Sequence, residues 1–357
     1  MSCFRRSLLR WLGSSRARAR TESFLSNMAT FKKTAVVGAG AWGSALSVIL
    51  SKNIPSVSVW AREKEVVDAV AKSRENSLFL PDVGIPENVK FSNNPAEVLD
   101  GAEMVVWVMP IQYLDSTARD FAKFIPAGSI MINAGKGIEI GSWRRPSAIL
   151  REAIPQASSC GSIMGPNIAF EVALGKYAEA VVALDSHSDA EKAAQTFCTP
   201  TFRVRPTDDV VGVEIGAALK NIVALAAGFC DGMELGANTK AIVMARGFQE
   251  IYRAAAALGA WSDSFVKESA ILGDVLTTCM SPDSRNRRTG EQLGRGLNAE
   301  DAKAKLNGRV CAGLETIQIC RMFENLHHVK LPIMTALCDL SEGKLTREEC
   351  LSRMLCM

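Results

Sequence analysis

Histidine is scarce in this chain: among 357 residues there are only His187, His327 and His328. His187 stands in a polar Asp-Ser-His-Ser-Asp turn, and the other two lie near the C-terminus outside any motif. An acid/base histidine is therefore disfavoured, and attention moves to lysine, whose pKa falls on burial or beside another cation. No pair of the ten cysteines has the CxxC spacing of a zinc or redox site. Cys230, Cys311, Cys320 and Cys338 fall in apolar stretches, where a reduced thiol is a small hydrophobe. These cysteines predict a reducing compartment, no disulfide framework and no metal site. Net charge is only +3, much of it in the first thirty residues, so the remainder offers no basic face for nucleic acid. The longest charge-free run, Thr34 to Ser51, has the length of a membrane span, but three spaced glycines interrupt it and point to strand, turn and helix instead.

What is present begins with an unusual N-terminus. Residues 1–30 carry Arg5, Arg6, Arg10, Arg16, Arg18 and Arg20, six serines and one acid, Glu22, with Phe4, Leu8, Leu9, Trp11 and Leu12 between the arginines. A basic, acid-poor amphipathic segment of this kind predicts organellar targeting, to a mitochondrion in preference to a plastid. Met28 offers a start for a shorter, cytosolic form.

From Phe31 the chain is ordinary globular sequence, 48% hydrophobic and 22% charged over its whole length, enough for two full cores. Thr34–Val37, Val57–Trp60, Met104–Met109, Ser129–Asn133 and Ala180–Leu184 are apolar runs of strand length, suited to a parallel sheet covered on both faces. After about Pro206 the pattern turns helical, in Val211–Cys230, Lys240–Leu258, Cys311–Glu324 and Pro332–Leu340. The expected fold is α/β: a Rossmann-type, doubly wound dinucleotide-binding domain over 31–207, then an all-helical substrate domain over 208–357.

Gly38-Ala39-Gly40-Ala41-Trp42-Gly43 follows one strand, opens a helix and precedes a second strand. That context makes it a dinucleotide-binding turn: Gly38 for the tight bend, Gly40 for backbone approach to the pyrophosphate, Gly43 for helix–strand packing. An acid at the end of the second strand would select NAD; this chain has Arg62 there, which suits a 2′-phosphate, so NAD and NADP both stay open. Two lysines stand out. Lys136 lies in Asn-Ala-Gly-Lys-Gly-Ile-Glu at the C-terminal end of an apolar strand, where ligands of open α/β sheets bind. Lys220 interrupts a helix whose other polar residues between Gly212 and Asp231 are Glu214 and Asn221, a costly place unless it faces a site or a partner charge. Ser284-Arg285-Asn286-Arg287-Arg288 has phosphate-gripping chemistry.

These residues resemble the NAD(P)-dependent glycerol-3-phosphate dehydrogenase family, in its bacterial type. The resemblance is carried by GAGAWGSAL (38–46), ENSLFLPDV (75–83), KGIE (136–139), GPNIAFEV (165–172), VGVEIGAALKNIVALAAG (211–228), GANTKAI (236–242), GDVLTTC (273–279) and SRNRRTGEQLG (284–294). It implies hydride transfer between NAD(P)H and dihydroxyacetone phosphate, giving sn-glycerol 3-phosphate, in a homodimer with no metal and no membrane span. It also implies that Lys220 is the acid/base, with Asp274 and Asn221 orienting it or the substrate, and that Lys136 contacts substrate and nicotinamide. Gly165 and Asn167 would line the substrate site, and Ser284, Arg285 and Asn286 would hold the phosphate. The cofactor would meet Ala41, Trp42, Arg62, Phe79, Lys136, Ala169, Arg285 and Val310 besides the three glycines.

Two positions depart from the family pattern. Where members often carry Val-Val-Glu-Gly this chain has Val310-Cys311-Ala312-Gly313, and the usual Gly-Leu-Gly-Asp reads Ile271-Leu272-Gly273-Asp274, adding bulk near the aspartate. Alternatives are a related β-hydroxyacid or 6-phosphogluconate-type dehydrogenase, and a dinucleotide sensor without turnover.

Overall fold

The computed structural model describes residues 31–261, 265, 269–306 and 310–356, so the expected targeting segment lies outside the described residues. Ten strands occur among them: β1 (Lys33–Val37), β2 (Ser56–Trp60), β3 (Glu75–Asn76), β4 (Leu80–Gly84), β5 (Val89–Ser92), β6 (Met104–Trp107), β7 (Ile130–Asn133), β8 (Ser159–Met164), β9 (Ala178–Leu184) and β10 (Phe202–Thr207). Eight form one sheet in the order β10-β9-β8-β7-β6-β1-β2-β5, and β3 and β4 make a separate hairpin. Pairing is parallel throughout the large sheet except between β8 and β9. The apolar runs of β1, β6 and β7 are buried, as a sheet covered on both faces requires.

Register places the site. Val37 lies opposite Trp60 on one side and Trp107 on the other, and Trp107 lies opposite Asn133. The C-terminal ends of β1, β2, β6 and β7 thus form one edge. Strand order reverses at β1, so the loop after β1 and the loop after β6 part there and open a crevice.

The helical part is built around Val210–Gly232, whose N-cap Asp209 accepts from the Gly212 N–H at 2.9 Å. This helix is long and apolar enough to cross a membrane (mean hydropathy 1.7), yet 94% of that window is buried inside the protein. It is the core element, packed by the helices Gly236–Ala257, Ser269–Met280 and Arg285–Gly294. The last approaches closely because a side chain at Gly228 would sit 1.8 Å from the Arg287 carbonyl oxygen. Expected helix Cys311–Glu324 is divided at 317–318 into Ala312–Thr316 and Ile319–His327.

Candidate active site

The glycine turn has the geometry its sequence predicts. Gly38 has φ +120°, and a Cβ there would lie 2.1 Å from the Val108 carbonyl oxygen, so both conformation and space demand glycine. A Cβ at Gly43 would lie 1.8 Å from the Gly38 oxygen, whereas one at Gly40 would meet nothing within 4 Å. Gly40 therefore faces open space at the N-terminus of the helix Ala41–Leu50, which no side chain caps. An uncapped helix N-terminus with open space beside it has the chemistry to receive an anion such as a pyrophosphate. Buried Asn76 braces it: its Nδ2 donates to Ala39 O and Ser44 Oγ, each at 2.8 Å, while its Oδ1 accepts from the Phe79 N–H at 3.2 Å. Phe79 is thereby held beside the turn on its hairpin. Trp42 packs edge-on against Phe202. Arg62, past the end of β2, is largely exposed and pairs with Glu63 at 2.6 Å. We expect Gly38→Ala to cost about 3 kcal/mol or more of stability, read from its urea midpoint, and a loss under about 1 kcal/mol would contradict this account of the turn.

A cleft of about 960 Å³ opens beside this edge, and Lys136, Asn167, Lys220, Asn221, Asp274, Ser284, Arg285, Asn286 and Val310 all line it. Residues far apart in sequence and drawn from both parts of the chain thus share one cavity. At its centre the buried Asp274 carboxylate is shared. Lys220 Nζ donates to Oδ1 and Lys136 Nζ to Oδ2, both at 2.6 Å. Lys220 also donates to Thr278 Oγ1 at 2.6 Å, and Lys136 to the Gly165 carbonyl at 3.2 Å. Each ammonium has three N–H donors, so each keeps one for the cavity. Because Thr278 Oγ1 itself donates to the Asp274 carbonyl at 2.7 Å, it can only accept from Lys220 and so fixes the lysine's direction.

Electrostatics follow from that sharing. Burial strips hydration from the Lys220 ammonium and takes its pKa down to about 8, against the pull of Asp274 and with help from Lys136. Burial alone would raise Asp274, but the two lysines outweigh it and hold its carboxyl below the usual carboxylate range.

The phosphate-type run starts the helix Arg285–Gly294, with Ser284 as N-cap accepting from the Arg287 N–H at 3.3 Å. Exposed Arg285 stands at this N-terminus beside the cleft, so a cation and free helix N–H groups coincide. Arg287 turns away to Asp231 at 2.7 Å, where Lys240 also bonds. Asn286 is buried: its Oδ1 accepts from the Gly313 N–H and its Nδ2 donates to Asn221 Oδ1, both at 2.9 Å. Asn221 is so oriented that its N–H groups are the donors left for the cavity.

Some expected residues stand apart from this cleft wall. Gly38, Gly40, Ala41, Trp42, Gly43, Arg62, Phe79, Gly165 and Ala169 are not among its lining, the first five being at the glycine turn and helix start, Gly165 reaching the site only through the carbonyl that accepts from Lys136, and Ala169 opening the helix Ala169–Ala173. Ile271 is not among the cleft's lining; it packs in the core against Gly216 and lines, with Gly165 and Asp274, a separate small cavity of about 10 Å³. Among the lining residues given no role from sequence are Thr278, Gln112 and Glu315, the last two paired across the cleft at 3.4 Å. Thr278 was legible in principle, since it lies one helical turn after Asp274 on the same face. His187 is exposed and pairs with Asp208.

Sequence comparison decides the family. NAD-dependent glycerol-3-phosphate dehydrogenase profiles match twice, the N-terminus over residues 33–190 and the C-terminus over 209–352. The chain belongs to this family. A glycerol-3-phosphate dehydrogenase [NAD(P)+] from Citrifermentans bemidjiense is 36% identical over 326 residues, covering 90% of this chain and 97% of the relative. One from Moorella thermoacetica is 39% identical over 299 residues, covering 84% and 88%. The crystal structure of glycerol-3-phosphate dehydrogenase from Coxiella burnetii superposes with a TM-score of 0.82 at 27% identity, over 91% of this chain and 98% of that one. These relatives are bacterial, from cells without mitochondria or plastids. That overturns the organellar destination and transit peptide read from residues 1–30, whose arginine- and serine-rich composition alone suggested it.

Proposed function

We propose that this chain reduces dihydroxyacetone phosphate to sn-glycerol 3-phosphate with NADH or NADPH, and runs the reverse reaction, with Lys220 as acid/base. The observation that carries the residue roles is the Lys136–Asp274–Lys220 ladder opening into the same cleft as the Ser284–Arg285 helix start. The glycine turn, with the open face of Gly40 at an uncapped helix end, fits the dinucleotide. When bound, the nicotinamide supplies a hydride to the ketone carbon. Lys220 gives its proton to the oxygen that becomes the alcohol, and the free donor of Lys136 stabilises negative charge developing there. Asn221 and Asn167 orient the substrate's oxygens, while Ser284, Arg285, Asn286 and the helix N-terminus hold the phosphate. Arg62 offers a donor for a 2′-phosphate and Glu63 an acceptor for a 2′-hydroxyl, chemistry suited to either cofactor. We place the boundary between dinucleotide and substrate domains at 207/208, and the homodimer that the resemblance implies remains part of this proposal, checked by sedimentation of the purified chain.

The sign of the pH dependence follows. Reduction needs protonated Lys220, so kcat for the ketone should fall as pH rises through about 8. Oxidation needs the free amine and should rise through the same range. Saturating-substrate profiles in both directions test this, and parallel profiles in the two directions would remove Lys220 from the acid/base role.

A further inference from the structure

A polar chain behind the cleft connects the two lysines. Glu214 lies on the central helix six residues before Lys220, an axial offset of about 9 Å. Its side chain is fully buried and meets four donors. Oε1 accepts from the Ser147 N–H at 2.9 Å and the Ser162 hydroxyl at 2.6 Å; Oε2 accepts from the Ser147 hydroxyl and from Arg145 Nη1, both at 2.8 Å. Four donors satisfy a carboxylate's four lone-pair sites.

Ser162, on β8, spends its proton on Glu214 and presents a lone pair to Asn133 Nδ2 at 3.3 Å. Asn133, the buried last residue of β7, closes its amide on the next turn. Its Nδ2 donates to Gly135 O at 2.6 Å and its Oδ1 accepts from Gly135 N–H at 3.1 Å. The loop has no freedom to drift at that point, because a side chain at Gly135 would lie 2.4 Å from the Met109 carbonyl oxygen. The next residue is Lys136, which runs to Asp274. None of Asn133, Ser162 and Glu214 lines the cleft.

We propose that Glu214, Ser162 and Asn133 are positioning residues that fix the loop carrying Lys136 against the helix carrying Lys220, so that two ammonium groups share Asp274. The inference rests on the role given above to Lys220. Its consequence is electrostatic. With Lys136 displaced, Asp274 acts on Lys220 alone, and the lysine holds its proton to higher pH. Among the described residues, the charged groups acting on Lys220 are Asp274 and Lys136; the nearby Cys279 thiol, pushed up to about 12 by burial, is neutral across the working range.

Ser162→Ala removes one hydroxyl and Asn133→Ala one amide, and urea midpoints establish that each variant is folded before its kinetics are read. Each should lower kcat about tenfold, or about 1.4 kcal/mol, and move the falling limb of the reduction profile to higher pH. In a Lys136→Met background, Ser162→Ala should add less than about twofold, because the network acts through that lysine. An unchanged kcat, a loss with the limb unmoved, or an equal loss in both backgrounds overturns the proposal. Normal turnover of Lys220→Ala would instead sink the reading of the site on which it rests.

Discussion

Lys220→Ala should lose about a thousandfold in kcat, within the 10²–10⁴ range of a positioned proton donor, while its Kd for NADH stays within about twofold of the native value. The two readouts separate because Lys220 lies in the cleft beside Asp274 and Thr278, not at the glycine turn. Lys220→Arg should not rescue, since a guanidinium is protonated throughout the working range and has no means of taking a proton in the oxidation direction. Steady-state kinetics with a fluorescence titration of NADH check both numbers. A variant that binds NADH and turns over within tenfold of the native chain would contradict the assignment.

The second large effect belongs to Arg285. Each charge-assisted hydrogen bond contributes about 1.5–3 kcal/mol, and a guanidinium meets phosphate through two. Arg285→Ala should therefore lower kcat/KM for dihydroxyacetone phosphate by about a hundredfold or more, mostly through KM. Dihydroxyacetone, which has no phosphate, is the control: its slow reduction should be nearly indifferent to the substitution. An equal fractional loss on both ketones would mean that Arg285 shapes the cleft without holding the phosphate.

Much of this was legible in the sequence, and what was not has physical causes. The glycine turn was, because three positions must be glycine for three separate reasons, two of them now visible as overlaps at Gly38 and Gly43. Lys220 was, because a lysine in so apolar a helix demands a partner, and Asp274 is that partner. Strands β5, β8 and β10 were not, being short or broken by serine, glycine, arginine and lysine, with no run of apolar residues to mark them. The antiparallel junction of β8 and β9 is a matter of topology, which strand composition does not encode. Ile271 drew attention as a bulky departure near Asp274, and it does share a small cavity with Asp274, while its side chain also reaches Gly216 on the neighbouring helix. Convergence of Lys136, Lys220, Asp274 and Arg285 came from family resemblance and not from their spacing; the cleft now gives it a geometry. The match to glycerol-3-phosphate dehydrogenase profiles over both parts of the chain does not favour the hydroxyacid alternative.

The central claim is that a dinucleotide turn stands beside a cleft that holds a lysine acid and a phosphate grip. Its most direct test is oxidation of NADH and NADPH by the purified chain, followed by absorbance, with dihydroxyacetone phosphate offered beside a panel of keto acids. The account predicts oxidation that depends on dihydroxyacetone phosphate and yields sn-glycerol 3-phosphate mole for mole. Oxidation with a keto acid and none with dihydroxyacetone phosphate would contradict it.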